Sequence, residues 1–92
     1  MEARVRVRWQ KLVDAFHMDN LPGFKPWDAV AVDALKGLSS GEHHVACFLL
    51  GVWDPGNRDW QHPRFDVIEA MAAWDPNCRR AFLLWAEDPF WP

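Results

Sequence analysis

Tyrosine is absent from this 92-residue sequence, and cysteine is scarce, with Cys47 and Cys78 as its two copies. Two isolated cysteines are too few for a disulfide framework, and they lack the Cys-x-x-Cys spacing of common zinc sites. We therefore expect both thiols to be reduced and buried.

Long apolar runs are also missing. The longest run, Val45 to Val52 with Gly51 inside it, is far too short to cross a bilayer. The chain starts with a charged, alternating segment instead of the apolar core of a signal peptide. These features predict a soluble, cytoplasmic protein that does not associate with membranes.

Motifs of the common enzyme classes do not occur either. The sequence has no glycine-rich phosphate loop, serine nucleophile elbow or His-Glu-x-x-His motif. Five of its nine aspartates lie at expected helix starts or before prolines, where capping and turn chemistry explain them: Asp28, Asp54, Asp66, Asp75 and Asp88. We therefore predict a non-enzymatic protein with no catalytic residues and no cofactor.

Aromatic residues, in contrast, are abundant. Seven Trp and six Phe accompany a chain that is 50% hydrophobic. Each buried aromatic side chain removes about 150 to 250 Å² from water, so a few of them can build the core that a short chain otherwise struggles to form. We expect one helical domain over residues 1–92, with the remaining aromatics near the surface.

The net charge of -3 is mild but unevenly distributed. Residues 1–11 carry four cations against Glu2, whereas residues 12–53 and 54–92 are both acidic. The cations are Arg4, Arg6, Arg8 and Lys11. Such a group most often forms a solvated helix face, but it also suits phosphate contacts, which makes a small nucleic-acid-associated regulator an alternative function. The acidic remainder of the chain opposes a duplex, so nucleic acid is the less favoured partner.

Hydrophobic periodicity predicts an all-α fold, a small single-domain bundle of four or five helices. The expected helices cover about 2–17, 26–36, 40–53, 64–74 and 76–87. The first segment also alternates as a strand would over residues 4–9, but no later segment offers a partner strand. Similar openings at Trp27-Asp28 and Phe65-Asp66 suggest an N-terminal helix followed by two helical hairpins.

Three helix starts carry recognisable signals. Pro26 suits the first position of the second helix, and Ser39 with Glu42 has capping-box spacing at the third. Asp75 and Pro76 are an N-cap and first residue for the fifth. The third helix is apolar around most of its second half, so we expect it to be the central and most buried helix.

The same periodicity predicts which helix faces are buried. The second helix would bury Trp27, Val30, Ala31, Ala34 and Leu35, and Gly37 would stop it. The fourth helix would bury Phe65, Ile68, Met71 and Ala72.

The histidines and cysteines are the residues that could form a metal or catalytic site. His43 and Cys47 are four residues apart, and His44 lies beside them, but two ligands do not make a site and no later pair has ligand spacing. We therefore predict no metal site, with His43 and His44 exposed in the first turn of their helix. His17 and His62 fall near the ends of elements, where a solvated or capping role is expected.

A novel small enzyme is the third alternative, centred on Cys78 or on the pair His43 and His44. Cys78 lies in the first turn of the fifth helix, whose dipole would lower the pKa of its thiol. Cys47 lies on the most apolar helix, which favours an inert core thiol.

Three aromatic residues, Trp60, Phe90 and Trp91, lie in proline-bearing segments outside any helical stripe. Exposed Trp in such segments commonly anchors a protein interface, so these are the predicted partner-binding residues. The alternative is that they fold back as lids on a small core.

The run Phe48-Leu49-Leu50-Gly51-Val52-Trp53-Asp54, followed by Phe65-Asp66 and Trp74-Asp75, resembles small uncharacterised proteins of bacterial mobile elements and phages. The resemblance implies a protein that acts by binding host or defence machinery, and it carries over no functional residue. We accordingly expect a small binding module acting on a protein partner, for example a phage inhibitor of a host defence nuclease complex. A second copy of the chain is an alternative partner.

Overall fold

The computed structural model describes residues 2–92, which form five α-helices. They are α1 (Ala3–Ala15), α2 (Ala29–Asp33), α3 (Ser40–Trp53), α4 (Val67–Ala73) and α5 (Pro76–Glu87). No β-strand occurs among these residues, where a single isolated bridge joins Phe24 to Trp27. The predicted all-α fold is confirmed, and residues 4–9 are helical.

Local capping determines where α3 and α5 begin. The Ser39 hydroxyl accepts a hydrogen bond from the Glu42 backbone N–H at 3.2 Å, and the Glu42 carboxylate accepts one from the Ser39 N–H at 2.9 Å. At α5 the Asp75 carboxylate accepts from the Cys78 N–H at 2.8 Å, with Pro76 in the first turn. Both predicted caps are confirmed, because a capping residue acts within its own first turn.

α3 is the central helix, as predicted. Val45, Phe48, Leu49 and Val52 are each at most 4% exposed. α2 and α4 pack against α3, and α5 packs against α1. Burial of each large apolar side chain contributes about 1.5 to 3 kcal/mol, so α3 supplies a large part of the driving force for folding.

The second helix is shorter than the sequence predicts. α2 begins only at Ala29, because the Asp28 carboxylate caps it by accepting from the Ala31 N–H at 3.2 Å. Pro26 lies before the helix, after a cis peptide bond from Lys25, and therefore does not occupy the first helical position.

The buried face of α2 is also different from the predicted one. Val30 is 73% exposed and Ala34 is exposed, whereas Val32 is fully buried. Val32 faces Gly23, where an added side-chain carbon would meet the Val32 methyl group at 2.8 Å. The buried face of α2 is therefore determined by its contacts with the preceding turn and with α3. The periodicity of the segment indicates neither contact.

The fourth helix is likewise shorter, and its predicted face is right only in part: Phe65 and Met71 pack against the core, whereas Ile68 and Ala72 are exposed. α4 starts at Val67 after the Asp66 cap, so Phe65 precedes the helix. Ile68 is 78% exposed, and Ala70 is the buried residue of α4. The small Ala70 side chain lets α4 approach α3 closely, while the large Ile68 faces outward.

Two aromatic clusters flank α3. In the first, the Trp9 ring lies 5.2 Å from that of Trp27, 5.5 Å from that of Trp53 and 6.4 Å from that of Phe90. The second surrounds Phe48, whose ring centroid lies within 6.4 Å of five other rings. These five belong to Phe16, Phe65, Trp74, Phe82 and Trp85.

Across residues 2–92 no helix has the length and apolar character needed to cross a membrane.

Candidate functional site

A cavity of about 470 Å³ lies beside α3, bounded by the loop after α3 and by the end of α5 with the C-terminal tail. We call it the aromatic groove. Six aromatic side chains line it: Phe48, Trp60, Phe65, Phe82, Trp85 and Trp91. The groove therefore offers an apolar, concave surface of the kind that accommodates a ligand or a side chain of a partner.

The loop wall of the groove is held in place by α2. The buried carboxylate of Asp33 accepts hydrogen bonds from the backbone N–H groups of Gln61 at 3.0 Å and His62 at 3.1 Å. Hydrogen bonds to an ionised acceptor are stronger than neutral ones. This contact joins residues nearly 30 positions apart and holds the backbone of His62 against α2.

The C-terminal tail supplies the other wall. The Trp85 indole N–H donates a hydrogen bond to the Phe90 carbonyl at 2.9 Å, which anchors the tail to α5. The Trp91 ring then packs edge-on against the Trp85 ring at 5.6 Å and stays 56% exposed. Trp60 is half-buried in the loop wall, so the structure brings Trp60 and Trp91, two predicted partner-binding residues, to the same groove.

Phe90, the third predicted partner-binding residue, points away from the groove. It is half-buried, with its ring against Trp9 and under the Arg8 guanidinium, which lies 3.9 Å from the ring centroid. Phe90 therefore matches the alternative reading of the sequence, a lid on the core.

Two arginines, Arg58 and Arg64, line the groove and are exposed. Neither forms an ion pair or a side-chain hydrogen bond with any other residue of the described chain. Asp54 is the single carboxylate among the lining residues. The groove therefore carries an excess of unpaired positive charge, although the whole protein is acidic.

Cys47 and His62 also line this cavity, and His43 joins them in a compact cluster. His43 and Cys47 lie one turn apart on α3, with the His43 Nε2 atom 3.5 Å from the Cys47 Sγ atom. The His43 and His62 rings are 5.6 Å apart. One ligand atom from each of the three side chains lies within 4.8 Å of the other two.

His62 is in a loop, without ligand spacing to any other histidine or cysteine, so the sequence gives no signal for this cluster. A solvated or capping position was predicted for His62, but the Nε2 atom of its side chain is buried. His43 is half-buried and His44 is 7% exposed, so the first turn of α3 is not solvated as predicted.

Two buried polar atoms beside the groove, His62 Nε2 and Trp60 Nε1, have no hydrogen-bond partner among residues 2–92. A buried polar group without a partner costs about 1 to 3 kcal/mol, and such groups are rare in native proteins. Both come from the loop that Asp33 holds, and two further indole N–H groups, of Trp9 and Trp27, are buried without a partner in the aromatic cluster around Trp9.

The Cys47 thiol is held in its protonated form by its surroundings. Burial raises its pKa to about 11; a backbone hydrogen bond opposes the shift, and the negative charge of Asp33 adds to it. The thiol is therefore protonated at neutral pH, in agreement with the predicted buried, reduced cysteine.

The pKa of the Cys78 thiol is shifted in the direction opposite to the predicted one. Burial, followed by the charge of Asp75 and a side-chain hydrogen bond to it, raises the pKa of its thiol to about 11. The dipole of α5 was expected to lower this pKa, but burial of the thiol, reinforced by the charge of Asp75, outweighs it. The same contact lowers the pKa of Asp75, whose main stabilising partner is the Cys78 N–H.

The predicted basic residues do not all share one surface. Arg4, Arg8 and Lys11 lie along one face of α1 together with Val7, where they border a shallow depression that Arg6 does not reach. Arg8 is also engaged with the tail, because its guanidinium pairs with the Asp88 carboxylate at 3.2 Å.

Comparison with protein-family models, curated proteins and solved structures found no match.

Proposed function

We propose that this protein is a non-enzymatic binding module that takes an apolar side chain of a protein partner into the aromatic groove. The observation that carries the proposal is the convergence of six aromatic side chains on one cavity, with Trp91 more than half exposed at its edge. Exposed Trp beside a pocket is the residue type that most often dominates the binding energy of an interface.

The charge of the groove defines the chemistry of the partner. Arg58 and Arg64 are unpaired within residues 2–92, so an acidic group on the partner would meet them without breaking an existing ion pair. The fitting ligand is a peptide segment in which a large apolar residue adjoins Asp or Glu. Electrostatic attraction at the rim would raise the association rate, and burial of the apolar side chain would slow dissociation.

The resemblance to small proteins of mobile elements and phages extends the proposal to a class of partner. It favours a cytoplasmic protein of the host, and inhibition of a defence nuclease complex is the form of action that fits a stoichiometric binder without catalytic residues.

A peptide-display screen against the purified protein tests the proposal. We expect enriched peptides to combine an aromatic or large aliphatic residue with Asp or Glu. Trp91→Ala should weaken their binding about 30-fold, equivalent to about 2 kcal/mol. Replacement of both Arg58 and Arg64 by Ala should weaken binding and flatten its salt dependence.

The matched control is Ile68→Ala, which removes a similarly exposed apolar side chain from α4, outside the groove. Its affinity for the peptides should equal that of the unmodified protein. Peptides that bind the Trp91→Ala variant at full strength, or a screen without enrichment, would overturn the proposal. Reversible dimerisation that Trp91→Ala abolishes would instead assign the groove to a second copy of the chain.

A second candidate function, a nucleic-acid-associated regulator, is favoured by one observation. Arg4, Arg8 and Lys11 lie on a single exposed face of α1, where they offer three cations to phosphate groups. The pairing of Arg8 with Asp88 weakens this candidate, because phosphate would have to compete with an existing carboxylate.

A further inference from the structure

We propose that His43, Cys47 and His62 bind a divalent transition-metal ion of the zinc class. The three side chains offer two imidazole nitrogens and one sulfur, and their ligand atoms lie within 4.8 Å of one another. This site is distinct from the aromatic surface that carries the proposed function, although both border the same cavity.

The spacing on α3 matches metal geometry. Zinc binds thiolate at about 2.3 Å and imidazole at about 2.05 Å, so at a tetrahedral angle the two ligand atoms stand about 3.5 Å apart. The His43 Nε2 and Cys47 Sγ atoms are separated by 3.5 Å. Residues four apart on a helix project from the same face, and the rigid α3 backbone therefore holds this pair in position before any ion arrives.

His62 completes the set through its link to α2. Asp33 holds the backbone N–H of His62 at 3.1 Å, which places the ring beside His43. The three ligand atoms lie within 4.8 Å of one another, and binding would require a side-chain rotation of His62 to bring its nitrogen to bonding distance. The buried Nε2 atom of His62 has no partner within the described chain, and coordination of this imidazole would give the ring the polar contact it lacks.

The charge of the bound ion can be balanced locally. On binding, the sulfur of Cys47 forms a bond to the metal and its proton leaves to solvent, so a divalent ion with one thiolate carries a net charge of about +1. Asp33 is buried, and its negative charge acts on Cys47. Because Asp33 accepts from the backbone N–H of His62, it holds the loop that carries this ligand and places a negative charge near the site.

The ligand set selects the ion. Two imidazoles and a thiolate suit zinc, cobalt and copper, whereas magnesium and calcium require oxygen ligands. Because Cys47 and His62 line the aromatic groove, the fourth coordination position opens towards it and is available to water or to a donor atom from a ligand in the groove.

A thiol-to-imidazole hydrogen bond between Cys47 and His43 is the competing account of the 3.5 Å distance. It needs neither His62 nor a cation, and it leaves His62 Nε2 without a partner. The two accounts therefore differ in whether His62 and a metal probe act together with Cys47.

Titration with Co²⁺, followed by absorption spectroscopy and by displacement with Zn²⁺, tests the metal site. We expect a thiolate-to-cobalt charge-transfer band and the visible bands of a tetrahedral ion. Cys47→Ser should remove the charge-transfer band, whereas Cys78→Ser should keep it. His62→Asn should weaken binding by at least about 100-fold. His17→Asn should bind as the unmodified protein, since Asn tolerates the positive φ of 56° at this position.

Absence of the charge-transfer band in the unmodified protein would overturn the metal site, as would its persistence in Cys47→Ser or its loss in a folded Cys78→Ser variant. Equal affinities of His62→Asn and the unmodified protein would also overturn it. Circular dichroism of each variant establishes that it is folded. Because no partner peptide is present in these titrations, failure of the metal site and failure of the proposed partner binding are separate results.

Discussion

Asp33 and His62, 29 residues apart in the sequence, are joined by a hydrogen bond in which the Asp33 carboxylate accepts from the His62 backbone N–H at 3.1 Å. The same carboxylate also accepts from Gln61. α2, although only five residues long, thereby positions both the loop wall of the aromatic groove and the third member of the His43, Cys47 and His62 cluster.

Asp33→Ala should lower the free energy of unfolding by about 3 kcal/mol, because it removes two charge-assisted hydrogen bonds and leaves two N–H groups without their acceptor. Urea denaturation measures the loss, and amide hydrogen exchange of Gln61 and His62 should accelerate. The control is Asp19→Ala, at an exposed position with no side-chain bond among residues 2–92, which should change stability by less than about 0.5 kcal/mol. Unchanged exchange at His62 in Asp33→Ala would contradict the anchoring role.

Phe90→Ala and Trp91→Ala, substitutions of neighbouring residues, should lower the free energy of unfolding by different amounts. Phe90 packs against Trp9 and under Arg8, so its loss should cost about 2 kcal/mol of stability. Trp91 is 56% exposed, and its loss should cost less than about 1 kcal/mol. Thermal unfolding of the two variants checks this; a cost of about 3 to 5 kcal/mol for Trp91→Ala would make Trp91 a lid on the core instead.

Alkylation of Cys78 should be slow in the folded protein at neutral pH, since burial and Asp75 raise the pKa of this thiol to about 11. In a Cys47→Ser background, where Cys78 is the single thiol, Asp75→Asn should lower this pKa and speed alkylation. Asn is as good an N-cap as Asp, so α5 should be retained. Mass spectrometry measures the rate, and equal rates with Asp and Asn would show that the Asp75 charge does not act on the thiol.

The same pKa predicts how stability depends on pH. The ordinary value for a cysteine thiol is 9.0, and the folded value for Cys78 is about 11, so between these pH values the unfolded chain loses a proton that the folded chain keeps. The stabilising contribution of this thiol is thus present below pH 9 and is lost as pH rises towards 11. Comparison of urea midpoints with those of Cys78→Ala isolates the effect, and parallel pH profiles would contradict it.

Nucleic acid should not bind this protein at physiological salt, because the cationic face of α1 is small and the rest of the chain is acidic. Fluorescence anisotropy with a labelled duplex and a labelled single strand checks this. Binding that falls steeply with salt and disappears when Arg4, Arg8 and Lys11 are replaced by Ala would favour the second candidate function. Arg58→Ala, on the groove, is the control for a general loss of positive charge.

Features that depend on neighbouring residues could be predicted from the sequence. The Ser39 and Glu42 capping box and the Asp75 cap act within one helical turn, so α3 and α5 begin where they were predicted. The burial of α3 followed from its lack of a polar face. Trp60 and Trp91 could be singled out because they lie outside any helical stripe, but nothing in the sequence indicated that they face one cavity.

Features that depend on distant residues required the tertiary structure. The faces of α2 and α4 were predicted only in part, because a helix of five or seven residues has too few apolar positions to define a stripe. What such a helix buries is decided by the surface it meets, here α3 and the turn at Gly23. His62 likewise has no local signal, and the carboxylate of Asp33 brings it to His43 and Cys47.

Capping and hydrophobic periodicity operate over one or two turns of chain. The helical fold class, the caps of α3 and α5 and the central place of α3 therefore follow from the sequence alone. The assembled helices are needed to show which aromatic residues form the groove and which of Phe90 and Trp91 packs on the core. They are also needed to show which histidine lies beside Cys47 of α3. Those outcomes depend on contacts between residues far apart in the chain, and the free energy of such contacts comes from packing and buried hydrogen bonds that exist only once the helices have assembled.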